Sequence, residues 1–227
     1  MISRLRVIVS FLLALASLVG GQAAFAVTLP VFQGTFQQIT SNGNQNVGSQ
    51  LSLKVEESGG KALFTIANNG PISSFVRNVY FDWTVPSLSP MTVGPDSGVG
   101  VLFNAGGSPG NLPAGNLVAF SADTAFAANS AGLKKEGIDQ GEWASFTGTL
   151  GSAGFQAVLD ALKGGSLRVG LHVQGIGMTG GSESYVNWAG AGSDPASVAP
   201  VPLPAAVWLF SSAVLGFVAA TKRRRRD

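Results

Sequence analysis

Leu51-Ser52-Leu53-Lys54-Val55-Glu56-Glu57-Ser58-Gly59-Gly60-Lys61-Ala62-Leu63-Phe64-Thr65-Ile66-Ala67 sets the class of the fold. Leu51, Leu53 and Val55 alternate with Ser52, Lys54 and Glu56, the period of two expected of a half-buried strand. Ser58-Gly59-Gly60 has the composition of a hairpin turn, and the run 63–67 reads as the returning strand. Asn68-Asn69-Gly70-Pro71 then breaks it.

The same period recurs along the chain. Over residues 75–85, Phe75, Arg77, Val79, Phe81 and Trp83 alternate against Val76, Asn78, Tyr80 and Asp82, which predicts a long strand. Further strands are expected over 99–103, 117–120, 143–150, 167–173 and 184–188. One segment departs from the pattern. Phe155, Val158, Leu159 and Leu162 repeat at i, i+3, i+4 and i+7, and Lys163-Gly164-Gly165 follows as a stop, so a short amphipathic helix is expected there. Residues 87–115 are rich in Gly and Pro and read as a long loop or edge structure. The sum predicts a mostly β body, an antiparallel β-sandwich or jelly-roll with one short amphipathic helix.

Composition narrows the class of function. Of 227 residues, 45% are hydrophobic and 11% charged, against about 25% charged in an average domain. That excludes a coiled coil, a charge-rich disordered chain and a basic nucleic-acid binder. The net charge of +2 belongs to the ends: Arg4 and Arg6 lie at one, and Lys222, Arg223, Arg224, Arg225 and Arg226 at the other. Between residues 27 and 199, seven basic and eleven acidic residues leave the body with four negative charges. It would repel nucleic-acid phosphates rather than neutralise them. Cysteine is absent, which excludes disulfides, thiolate metal sites and a cysteine nucleophile.

Both ends read as addresses. Residues 1–26 have a basic start, an apolar run from 7 to 19 and a small-x-small site at Ala24 and Ala26, the layout of a signal peptide removed by signal peptidase after Ala26. A body over 27–188 follows, then a Gly/Ala/Ser linker over 189–199. Residues 200–227 carry spaced prolines, an uncharged span over 205–221 and a basic tail over 222–226. Sixteen apolar or small residues in helical form rise roughly 24 Å, a little short of the hydrocarbon core. Trp208 suits the outer interface, and the basic cluster holds the end inside, so the segment reads as a single transmembrane helix that stops transfer.

Val201-Pro202-Leu203-Pro204-Ala205-Ala206-Val207-Trp208-Leu209, the short apolar span with Leu215-Gly216, and the terminal arginine run together resemble the PEP-CTERM sorting signal. The namesake motif has Glu between its prolines where this chain has Leu203, so the resemblance is to a Val-Pro-Leu-Pro-Ala variant. It implies an exosortase as processing partner, cleavage near the Pro-x-Pro element, and transient anchoring in the inner membrane. The body would then reach the cell surface or extracellular matrix of a Gram-negative bacterium, in an exopolysaccharide and biofilm setting. Residues 108–113, 170–175 and 181–184 also resemble stretches of other sorted proteins, which implies no activity.

Within the body, chemistry is sparse. His172 is the only histidine, and it falls on the polar side of an alternating strand, where a solvent-facing side chain is expected. No Gly-x-Ser-x-Gly elbow or His-Glu-x-x-His pattern is present, and Gly175-Ile176-Gly177 lacks the strand–helix context of a phosphate loop. Carboxylate pairs for glycoside hydrolysis cannot be assembled from sequence; Glu56, Glu57, Glu136, Asp139 and Glu142 fall in polar stretches near turns. No cofactor is expected. A structural calcium would have to draw on Asp96, Asp123, Asp139 or Glu183, without an Asp-x-Asp-x-Asp-Gly loop. Flat rings suit the faces of pyranose sugars. Tyr80, Trp143 and Trp188 are the candidate contacts of a carbohydrate-binding module, with Tyr80 the ring expected to be exposed, while Trp83 and Trp143 sit in strands whose pattern favours burial.

Overall fold

The computed structural model describes residues 30–42, 44–84, 88, 90–129 and 136–187. The segments read as signal peptide, linker and sorting signal with its apolar span, and Trp188, lie outside the described residues. Among those described, no helix is long and apolar enough to cross a membrane.

The described chain is mostly antiparallel β with one α-helix. Ten strands run β1 (Phe32–Gln38), β2 (Leu51–Ser58), β3 (Lys61–Asn68), β4 (Phe75–Trp83), β5 (Met91–Ser97), β6 (Phe103–Ala105), β7 (Thr124–Ala128), β8 (Glu142–Thr149), β9 (Leu167–Ile176) and β10 (Gly181–Asn187). The helix α1 (Gly154–Gly164) lies between β8 and β9. The strands join in a single order, β5-β8-β3-β2-β1-β10-β9-β4-β7-β6. β1 is the hinge of that order. Its first half, Phe32 to Thr35, pairs with β2, and its second half, Phe36 to Gln38, pairs with β10. The sheet thus folds back on itself, and its outer members β5 and β6 come into contact, so it is nearly closed.

The hairpin legible in the sequence forms as expected. β2 and β3 pair from Leu51↔Asn68 to Ser58↔Lys61, and Gly59 and Gly60 take φ of 57° and 73°. Both values are left-handed, a conformation that side chains with a Cβ avoid and two-residue hairpin turns require. Leu51, Leu53, Val55, Phe64 and Ile66 face inward and are buried. Opposite them come Phe81 from β4 and Phe126 from β7, which with Phe146 from β8 meet in tilted and edge-on ring contacts with centroids 4.9–6.0 Å apart. α1 buries Phe155, Val158, Leu159 and Leu162, the four residues its spacing singled out, and packs against β3 and β9 at one end of the sheet. Gly165 ends the helix in the left-handed conformation, its N–H bonded to the Ala161 carbonyl.

Several expectations need correction. The predicted single phase over 75–85 is broken, because Val76 opposes Val173 and Asn78 opposes His172, leaving Arg77 as the extra residue of a β-bulge. Val76 therefore joins the inward set. Residues 117–120 are not a strand: Gly115–Val118 is a 3-10 turn. The strand expected over 99–103 begins only at Phe103. Residues 87–115, read as a long loop or edge structure, hold β5 and β6, the two edge members of the strand order, while neither β1 nor β7 has a pattern strong enough to announce it.

The largest departure is a cover over the outer face of β4, β9 and β10. Leu112 and Phe120 pack there against Tyr80 and Val186 in a second, smaller apolar cluster. Three anchors hold the cover. Tyr80 donates its phenol to the Pro109 carbonyl at 3.0 Å. Arg168 donates to the carbonyls of Val118 and Ala119, pairs with Asp82, and lies over the Phe120 ring at 5.2 Å. Asp82 in turn accepts from the Ser121 N–H. Gly170 makes room, since a Cβ there would meet Phe120 at 2.9 Å and Leu112 at 3.0 Å. The expected exposed ring is thus fully enclosed: Tyr80 is 0% exposed, and burial raises its pKa to about 12 against a small opposing pull from Arg77.

Candidate functional site on the outer face of β4, β9 and β10

Cross-strand register sets Ser184, His172 and Asn78 side by side, with Ser184 on β10 and Asn78 on β4 each opposite His172 on β9. All three lie on the outward parity of their strands, next to the apolar cover. The bulge brings Arg77 beside them, close enough to lower the His172 pKa, although burial is the larger cause. The imidazole is accordingly half-buried and biased towards its neutral form. It is not the freely solvated histidine its alternating strand suggests.

This row has the residue types of a Ser-His-Asn constellation without its bonds. A hydrolytic triad needs its base oriented by a hydrogen bond to the third member. Here the His172 Nδ1 and both amide atoms of Asn78 are buried without a partner. Ser184 is 1% exposed, out of reach of a substrate carbonyl. Among the described residues four buried side-chain polar atoms lack a partner, and three belong to these two facing residues; the fourth is Glu136 Oε2.

A second polar centre sits at the inner mouth of the sheet. Glu183 faces inward from β10 and is 1% exposed. The chain after β1 wraps its carboxylate with donors: the Thr40 hydroxyl at 2.5 Å, the Asn42 N–H at 2.8 Å, and the amides of Asn44 and Asn42 at 3.0 and 3.2 Å. Burial alone would push the carboxyl pKa up. The hydrogen bonds outweigh it and hold the group below its ordinary value. The result is a buried anion paired by neutral donors, which fastens Thr40, Asn42 and Asn44 to β10. Beside it Tyr185 accepts the Val47 N–H at 3.1 Å, while Gln50 donates to Asn68, Ile72 and Ser74 at 2.8–2.9 Å. Loops at this end are therefore stapled by side-chain amides.

The remaining candidates are scattered. Asp96 lies on β5. Asp123 accepts the Trp83 N–H at 2.8 Å, Glu142 accepts the Asp139 N–H at 2.8 Å, and Glu183 is enclosed as described. No group of three or more His, Cys, Asp or Glu residues among those described is close enough to hold a metal ion. Glu56 pairs with Lys54 at 2.9 Å on the outer face of β2. Trp83 is packed against the core, whereas Trp143, expected inside, is 36% exposed on the outer face of β8. Two surface depressions flank the loop end. One, of about 410 Å³, is lined by Phe75, Gln174, Gly175, Gly180, Gly181 and Ser182. The other, of about 490 Å³, is lined by Phe36, Gln37, Gln38, Asn46, Gly48 and Ser49. Neither lining carries a charge.

The row beside the cover was missed because Asn78 is far from His172 and Ser184 in sequence and only strand register brings it to them. Its signal was Gly170, a residue without a side chain at an outward position flanked by Tyr80 and Val186, which marks a face that something else covers. No protein-family model matches the chain, and no curated protein or solved structure matches it significantly.

Proposed function

We propose that the chain is an exported surface or matrix protein, sorted and processed by an exosortase-type system, with a non-enzymatic body. The observation that carries this reading is the order within residues 200–227: Val201, Pro202, Leu203, Pro204, Ala205 and Ala206, then the apolar span with Trp208, then Lys222 and four arginines. An apolar span closed by cations stops transfer; spaced prolines before it keep a cleavage segment out of helix, as proline removes the backbone donor a helix needs. The body would be carried to the surface and left there once the tail is removed. In finer description the body reads as a sandwich-like flattened barrel, because β1 hands the sheet over from β2 to β10 and phenylalanines from both layers meet between them. Mass spectrometry of the surface-associated protein tests the reading. A new C-terminus near Pro202 and Pro204 is the expected result; an intact tail through Asp227 in cells that hold the exosortase overturns it.

A second reading, a carbohydrate-binding module for exopolysaccharide, draws support from the exposed ring of Trp143 and from the two uncharged depressions with amide and hydroxyl linings. Amide side chains both donate to and accept from sugar hydroxyls. Binding of neutral glycans that is lost in Trp143→Ala or Gln38→Ala would favour this reading, and no binding across a glycan panel would remove it.

A further inference from the structure

We propose that Asn78 and His172 enclose a resident water molecule that bridges β4 to β9 beneath the cover. Asn78 is 0% exposed, and neither its Nδ2 nor its Oδ1 has a partner; the His172 Nδ1 directly across the ladder is buried and equally unpaired. Buried polar groups in folded proteins are paired, and three orphan atoms on two facing residues point to a ligand that supplies the missing bonds.

The chemistry of the three atoms selects that ligand. An amide presents a donor and an acceptor together, whichever way its ends are assigned. An anion would leave the amide oxygen facing negative charge. A cation would face the amide N–H groups and lie near the Arg77 guanidinium. A neutral molecule that donates and accepts meets both demands, and water is the smallest. The enclosure is tight from above: a Cβ on Gly107 would lie 3.0 Å from both the Ala125 Cβ and the Pro109 carbonyl, and 3.6 Å from the Asn78 Nδ2. The bulge at Arg77 interrupts the β4–β9 ladder at this level, so a bridging water replaces a lost main-chain tie with a side-chain one.

The test replaces Asn78 by leucine in the full-length chain in detergent. A filled site predicts that Asn78→Leu lowers Tm by at least about 2 °C, because a bonded network is removed. Truly vacant orphan atoms predict the reverse, since an apolar isostere would relieve them; an unchanged or raised Tm overturns the proposal. Should the variant fail to fold, the wild-type chain decides. Cross-relaxation between the Asn78 side-chain amide protons and a long-lived water supports the bridge, and its absence at that amide overturns it.

Discussion

Phe81 on β4 and Phe64 on β3 meet edge to face across the interior, their ring centroids 5.2 Å apart and their planes at 78°. The contact joins the two halves of the sheet, and Phe81 also touches Phe126 and Phe146. Phe81→Ala should destabilise the body by about 3–5 kcal/mol, and Phe81→Leu by less, because the surrounding rings can close only partly on the void. Urea unfolding monitored by tryptophan fluorescence reads the difference.

Glu183 makes stability depend on acid pH. Its carboxyl titrates below its ordinary value of 4.5 in the folded chain, so its contribution is present above that value and fades as pH falls through the lower folded one. His172, held below its ordinary 6.5, acts with the same sign: the neutral folded form loses ground once the unfolded imidazole gains a proton. Tm should fall as pH drops from 7 towards 3. Glu183→Gln should flatten the acid part of that curve and cost about 1–3 kcal/mol at neutral pH, as one oxygen acceptor becomes a donor facing donors.

Tyr80 gives a signature at the other end of the scale. Its phenol ionises near pH 12 in the folded chain, against 10.0 when free. The contribution to stability is therefore complete below 10 and is lost as pH rises towards 12. Ultraviolet titration should show a phenolate that appears late, and Tyr80→Phe should cost about 1 kcal/mol through the bond to the Pro109 carbonyl. The same substitution should leave any glycan binding intact, as the ring is enclosed.

Two glycine substitutions should move stability in opposite directions. Gly170→Ala drives a methyl into Phe120 and Leu112 and should cost about 1–3 kcal/mol, with the cover loosened. Gly164→Ala, in the last turn of α1, meets nothing within 4 Å and should stabilise by about 0.4–1 kcal/mol by restricting the unfolded chain. Thermal melts of the pair provide an internal control.

Elements whose burial is one-sided were legible in the sequence. Leu51, Leu53 and Val55 alternate because one face of β2 meets the core and the other meets solvent, and the α1 stripe is legible for the same reason. β4 is buried on both faces, so alternation there marks a strand but no longer tells inside from outside; that is why Tyr80 was expected in solvent. β5 carries Gly94-Pro95 and is exposed along most of its length, and β7 is built chiefly of small residues, so neither shows a hydrophobic rhythm. Trp143 sits in a patterned strand, yet its outward parity leaves it at the surface. The Ser184–His172–Asn78 row depends on the long-range pairing of Asn78 on β4 with His172 on β9, and on a bulge that no local pattern reveals.

The first and last strands are antiparallel neighbours, Phe36 of β1 opposite Asn187 of β10. Entry to the body and departure from it therefore share one pole. The amide-stapled loops and both uncharged hollows lie at the opposite pole of the described body. Severing the chain beyond Asn187 would break no rung of the described ladder, so the strand pairing that holds the body together is complete within it.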